Sequence, residues 1–216
     1  MAQIFHPSAN VLARASIFGA LFALGAVAWL GGRLSRSPYA TQAGVIRRQP
    51  VPFSHEQHVG GVGIDCRYCH TSVETSAFAG MPSAKTCMSC HSQLWTDSPA
   101  LAPIRAAASG GPPVAWVRIH DLPDFAYFDH SIHVAKGIGC ASCHGAVDRM
   151  PLTWRESSLQ MAWCLDCHRG PEQAVRPREE VFNMSWLRPL DDPDQAKRLM
   201  RRYRVERKLD CSSCHR

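Results

Sequence analysis

FDHSIHVAKGIGCASCH, residues 128 to 144, carries two signals that decide how the rest of the chain is read. Cys140, Cys143 and His144 form a C-x-x-C-H, the attachment pattern of c-type haem. Two thiols three positions apart can each form a thioether to one porphyrin edge, and the adjoining histidine then reaches the iron from one side. Upstream, His130 and His133 stand three apart, so a single helical turn presents both imidazoles on one face. A stretch that attaches one haem and offers two further imidazoles implies several haems, each ligated twice by histidine.

The pattern recurs along the chain. All ten cysteines fall in five such motifs: Cys66/Cys69/His70, Cys87/Cys90/His91, Cys140/Cys143/His144, Cys164/Cys167/His168 and Cys211/Cys214/His215. One C-x-x-C could be half of a tetrahedral zinc site, and an exported chain could use its cysteines for disulfides. Neither accounts for a histidine after every pair. The expected cofactors are five covalently bound haems c. The formal charge of +6 describes the polypeptide alone. With two propionates per haem, five haems bring it to about +1 oxidised and about −4 reduced. The basic balance is therefore no argument for nucleic acid.

Residues 53–70, FSHEQHVGGVGIDCRYCH, repeat the opening stretch: Phe53, His55, His58, Val59 and Cys66 align with Phe128, His130, His133, Val134 and Cys140. The first copy has one extra residue before its cysteines. The likeness continues through Met81-Pro82 against Met150-Pro151, and each copy then reaches a second haem motif. This is an internal repeat of a two-haem module, at about 50–100 and 114–170, with the fifth haem in 171–216. The connecting LAPIRAAASGGPP, 101–113, reads as loop. Val117, Ile119 and the aromatics Phe125, Tyr127 and Phe128 partly alternate and predict a short strand. Residues 192–209 predict a helix, with Asp192 as N-cap, Pro193 at the first position and Ala196, Leu199, Met200 and Tyr203 as its apolar stripe. The arginines and lysines on its other side make a solvated face, or one that meets propionates or an acidic redox partner.

Near the N-terminus, residues 15–32 are uncharged and lie between Arg14 and Arg33. As a helix they span roughly 27 Å, enough for a bilayer core. Ala26-Val27-Ala28 resembles a cleavage site of a signal peptide; the reading adopted is an uncleaved anchor over 14–33 with an inner-side tail at 1–13. Haem is attached to cytochromes c outside the energy-conserving membrane, which puts 34–216 on the periplasmic side of a bacterial inner membrane. Arg33 and Arg36 run mildly against the positive-inside rule. Ser16, Gly19, Ala20 and Ala23 form a small-residue face suited to a neighbouring helix.

Five histidines outside the motifs remain beyond the anchor: His55, His58, His120, His130 and His133. Five haems need five distal ligands, so these are the candidates opposite His70, His91, His144, His168 and His215. Four come as pairs, including pairings that cross between motifs; His120 stands alone. Its rivals are the thioethers of Met161 and Met184, and a methionine ligand raises haem potential relative to histidine. Saturated coordination leaves no open iron for substrate. The chain is expected to carry electrons and to have no catalytic residues of its own.

An uncleaved anchor, five motifs and the segments FSHEQH, WVRIHDLPDFAYFDHSIHV, MAWCLDCHR and LDCSSCHR resemble the pentahaem cytochrome subunit of alternative complex III, the bacterial quinol:cytochrome c oxidoreductase. The resemblance implies a respiratory relay between a quinol-oxidising membrane complex and a cytochrome c or oxidase. It implies as partners an iron–sulfur, molybdopterin-enzyme-like subunit, multi-helix membrane subunits that bind quinol, and a monohaem cytochrome. The expected fold is a membrane-anchored multihaem cytochrome c: one transmembrane helix plus a haem-packed domain of short helices and irregular loops. Two other functions fit a chain of this kind. A tetrahaem or pentahaem quinol dehydrogenase of nitrite or nitrate respiration sets a haem close behind its anchor, whereas Cys66 lies far beyond Arg33. A multihaem oxyanion reductase needs one haem without a distal ligand.

Overall fold

The computed structural model describes residues 4–215. The chain divides into two units, Met1–Gln42 and Ala43–Arg216.

The first unit is mostly one helix, α1 (Ser8–Ser35), followed by a single turn, α2 (Pro38–Thr41). At 1.5 Å per residue, α1 is roughly 42 Å long, more than the ~30 Å of a hydrocarbon core. It is long and apolar enough to cross a membrane. None of its residues is buried, and its large apolar side chains, Phe18, Phe22 and Trp29 among them, are all exposed. The helix outruns the expected 14–33 at both ends. It starts directly after Pro7 and ends at Ser35 with Arg36 as its C-cap, ahead of Pro38 at the first position of α2.

The second unit is built of one-turn and two-turn helices joined by loops. A π-helical turn covers Glu56–Gly61, and α3 (Cys66–Cys69), α4 (Ala84–His91), α5 (Ala102–Ala108), α6 (His130–Ala135), α7 (Ala141–His144), α8 (Met161–Arg169) and α9 (Gln195–Tyr203) follow. Among the described residues only isolated bridges occur: Ala43 with Arg155, Ala126 with His215 and Ile138 with Val175. The extra residue of the first repeat copy is absorbed in the π-turn, where the second copy has the regular α6. A wider turn accommodates one inserted residue without shifting the flanking histidines.

Three expectations are corrected. Residues 101–113 are not all loop, because α5 forms there. Pro103 suits a first turn, the alanines are strong helix formers, and Ile104 is buried to 3% exposure. No strand forms at Val117. Its backbone N–H and C=O are both taken by the side-chain amide of Gln49, at 2.9 Å each. The helix expected over 192–209 is only α9. Asp192 does not cap it but pairs with Arg198, and Arg204 ends it in a left-handed conformation at φ 51°. Lys136 Nζ donates to the terminal carbonyls of Tyr203 (2.8 Å) and Arg204 (2.9 Å).

The expected apolar stripe of α9 does face inward. Leu199 and Tyr203 pack with Val175, and Ile138, Met200 and Val205 close over them. The core is otherwise sparse: among the described residues nine apolar side chains are buried, Met150, Val175 and Val181 most completely. Chains of this length ordinarily bury far more.

Candidate haem sites

Each C-x-x-C-H occupies a single helical turn. The first is α3, the second ends α4, the third is Cys140 followed by α7, the fourth lies in α8, and the fifth is a 3₁₀ turn at Cys211–Ser213. A turn puts cysteines i and i+3 on one face with the histidine beside them. Caps hold several of these turns. Asp65 accepts from Arg67 N at 2.8 Å, Ser83 from Thr86 N at 3.3 Å, and Asp129 from Ile132 N at 3.2 Å at the start of α6. None of the ten cysteines is paired in a disulfide.

Eight of the imidazoles are held by one nitrogen. Nδ1 donates to the backbone carbonyl of Gly80 from His70 (2.8 Å), of Leu94 from His91 (3.1 Å), of Lys208 from His168 (2.9 Å) and of Phe125 from His215 (3.0 Å). Among the upstream histidines, His58 donates to Ser54 O (2.8 Å), His133 to Asp129 O (2.7 Å) and His130 to Ala77 O (2.8 Å), while His55 Nδ1 bonds Thr153 Oγ1 at 2.9 Å. A carbonyl can only accept, so the proton sits on Nδ1 and Nε2 keeps its lone pair in the neutral ring. That is the second-shell device by which a protein orients a metal-binding imidazole.

The two copies arrange their rings alike. Phe53 stacks on His58 at 4.4 Å and meets His55 edge-on at 4.9 Å; Phe128 stacks on His133 at 4.4 Å and meets His130 edge-on at 4.8 Å. His58 and His91 have ring centres 6.1 Å apart, His133 and His168 6.2 Å, and His130 and His144 6.4 Å with planes 13° apart. Two imidazoles on opposite sides of one metal, each about 2 Å from it with the ring centre roughly 1.2 Å beyond, give about 6.4 Å. His120 and His144 lie at 4.3 Å, too close to share an iron.

Burial sets the electrostatics. It pushes His55 and His120 down to about 4 and His144 to about 3, and neighbouring charges add to this: chiefly His70 for His55, Arg155 for His120 and His120 for His144. Those three rings are neutral at neutral pH, the form that binds iron. Burial also pushes the thiols of Cys140 and Cys143 up to about 11 and about 12. His120 Nε2 is buried without a hydrogen-bond partner. Its loop is gripped by Arg155, whose Nε and Nη2 donate to Ile119 O at 3.1 and 2.9 Å. Of the rival methionines, Met161 is 64% exposed. Among the described residues no three histidine, cysteine or acidic side chains converge as a metal site, so zinc held by side chains alone finds no cluster. Rings at two-ligand spacing, an orphaned buried imidazole nitrogen and a sparse core all fit haem.

The sequence pattern names each of these cysteines and histidines as a candidate. It missed the stacked phenylalanines, although Phe53 and Phe128 recur at one offset from each H-x-x-H. It missed the accepting carbonyls, which carry no side-chain signal at all. It also missed Arg176, discussed below.

Cysteines and histidines in this arrangement define a c-type cytochrome with several haems. The chain belongs to the family of cytochrome c7 and related cytochromes c, whose model matches residues 51–102 and 126–216. Membership implies covalently bound c-type haem and electron transfer. The chain is also similar to the multihaem cytochrome c subunit of menaquinone reductase from Nitratidesulfovibrio vulgaris, at 36% identity over 104 residues, 48% of this chain and 49% of the relative. It thus spans about half the length of that relative.

Proposed function

We propose that the chain is the five-haem electron-relay subunit of a membrane-bound quinol:cytochrome c oxidoreductase of the alternative complex III kind. The observation that carries the relay reading is the three imidazole pairs whose ring centres stand 6.1 to 6.4 Å apart, His58 with His91, His133 with His168 and His130 with His144. In this reading Cys66, Cys69, Cys87, Cys90, Cys140, Cys143, Cys164, Cys167, Cys211 and Cys214 hold five haems, and His70, His91, His144, His168 and His215 are the proximal ligands. His58 faces His91, His133 faces His168 and His130 faces His144. His55 and His120 supply the remaining two distal positions, the unpartnered Nε2 of His120 supporting its role. Bound haem supplies reversible one-electron exchange. The chain's own residues fix eight of the ten rings by an Nδ1 contact, and two imidazoles per haem leave no iron position for a substrate.

The proposed domains are a tail at 1–13, an anchor at 14–33 within the longer α1, and an outer-side haem domain over 34–216. It comprises modules at about 50–100 and 114–170 and the fifth haem in 171–216. The expected partners are an iron–sulfur subunit, quinol-binding membrane subunits and a cytochrome c or oxidase.

A second reading is favoured by the similar menaquinone reductase subunit: the same relay would run toward a quinone, or belong to a quinol dehydrogenase. Tagged full-length chain isolated from membranes tests both. The expected result is five covalent low-spin haems per chain, a co-purifying iron–sulfur subunit and quinol-dependent reduction of cytochrome c. Quinone reduction without cytochrome c reduction establishes the second reading, and quinol oxidation by the chain alone establishes the dehydrogenase.

A further inference from the structure

Arg176 is 6% exposed, and among the described residues no carboxylate pairs with it. Its guanidinium lies over the ring of Trp186, Cζ 4.8 Å from the centroid. Nη1 donates to Asn183 O at 3.1 Å and Nη2 to Ser142 Oγ at 3.4 Å, while Nε is buried without a partner. The backbone is pinned as well, Arg176 N donating to Gly137 O at 2.8 Å. A Cβ on Gly139 would run into the guanidinium, so the residue before Cys140 is glycine because the arginine occupies its side-chain space. The cation therefore sits against the turn that carries the third motif. Guanidinium does not lose its proton in proteins, so the buried group stays a cation, held by a carbonyl, a hydroxyl and an aromatic face.

The first copy is built otherwise. Asp65 stands where the second copy has Gly139, and it pairs with Arg67 at 2.8 Å, both side chains about half exposed. An exposed, neutralised pair exerts little field.

We propose that Arg176 sets the potential of the haem bound at Cys140, Cys143 and His144, so that this site holds an electron in preference to the one at Cys66, Cys69 and His70. The inference rests on haem being bound at the third motif. Reduction lowers the charge at iron by one, and a fixed cation nearby stabilises the reduced state; the low dielectric of the interior strengthens that effect.

The test is a redox titration of purified full-length holoprotein, wild type against Arg176→Gln and Arg176→Lys, after covalent haem has been counted in each. Fewer than five haems in wild type counts against the relay reading itself. In a five-haem Arg176→Gln variant, one midpoint potential is expected to fall by a tenfold change in equilibrium constant, 59 mV for one electron, while Arg176→Lys keeps most of the wild-type value. Superposable titrations of wild type and five-haem Arg176→Gln overturn the inference. Should the glutamine variant lose haem, Glu180→Gln serves, since this half-buried carboxylate accepts from Asn183 Nδ2 at 2.6 Å and Asn183 O in turn accepts from Arg176. Its removal should raise the same potential, and an unmoved or lowered value overturns the inference.

Discussion

Phe53 on His58 and Phe128 on His133 stack at the same 4.4 Å, yet what surrounds the two ring clusters differs. The second copy rests on an apolar floor, where Ile138 closes over Val175, Leu199 and Tyr203, and Arg178 Nε ties Ala135 O at 2.8 Å. The first copy has a π-turn in place of α6, and Gly60, aligned with Ala135, lies directly against the carbonyl of Asp148 in the other copy. Its haem turn is flanked by an exposed ion pair instead of a buried cation. The ring geometry that ligation needs is thus kept while the support beneath it is free to diverge. Support is where one repeat can be made stiffer, or easier to reduce, than its twin.

Four experiments sharpen or break this comparison, from largest effect to smallest. Removing the equivalent histidines, His58→Ala and His133→Ala, should each convert one haem from low-spin to high-spin and leave the others unchanged, read from the ferric spectrum. Unequal haem counts would show that the copies are not equivalent in ligation. Leu199→Ala opens a cavity under the second copy alone and should cost about 3 kcal/mol, lowering the unfolding midpoint by roughly 6–12 °C. Gly60→Ala should cost about 1–3 kcal/mol through overpacking on Asp148, whereas Ala135→Gly at the matching position should lose no more than about 1 kcal/mol of helix propensity. A larger loss at Ala135 breaks the asymmetry.

The smallest effect is Asp65→Asn, which keeps an N-cap residue and removes the charge. The hydrogen bond from Arg67 holds the Asp65 carboxyl below the usual carboxylate range. A depressed carboxyl stabilises the fold above its unfolded value near 3.9 and loses that contribution as pH falls through the folded value. For a pair this exposed the difference should stay below about 0.5 kcal/mol at neutral pH. Denaturant midpoints of variant and wild type should converge as the pH drops below about 4.

The parts of the fold governed by local chemistry were legible in the sequence. Cysteines three apart require a turn, His130 and His133 share a helical face, and the stripe through Leu199 and Tyr203 marks a packed side. What escaped depends on atoms without a sequence signature or on partners far along the chain. The acceptors for His130, His168 and His215 are the carbonyls of Ala77, Lys208 and Phe125, separated from them by 53, 40 and 90 residues. The alternation around Val117 promised a strand, but a ladder needs a neighbour, and Gln49 met those backbone groups instead. The glycines and prolines flanking 102–108 signal a loop, and the helix propensity of its alanines outweighs them. Arg176 looked like any other arginine because only the fold reveals which cation has been taken out of water.

The contact between the fifth motif and the segment ahead of the second H-x-x-H bears on the order of assembly. Tyr127 N donates to Cys214 O at 2.8 Å, His215 Nδ1 to Phe125 O at 3.0 Å, and Ala126 bridges His215. This clasp closes a loop of about ninety residues, an entropic cost met only when the intervening turns are already compact. It cannot form before residues 210–215 have been synthesised. Until then the edge at 125–127 stays open, and the four earlier C-x-x-C-H turns belong to a chain that has not yet latched.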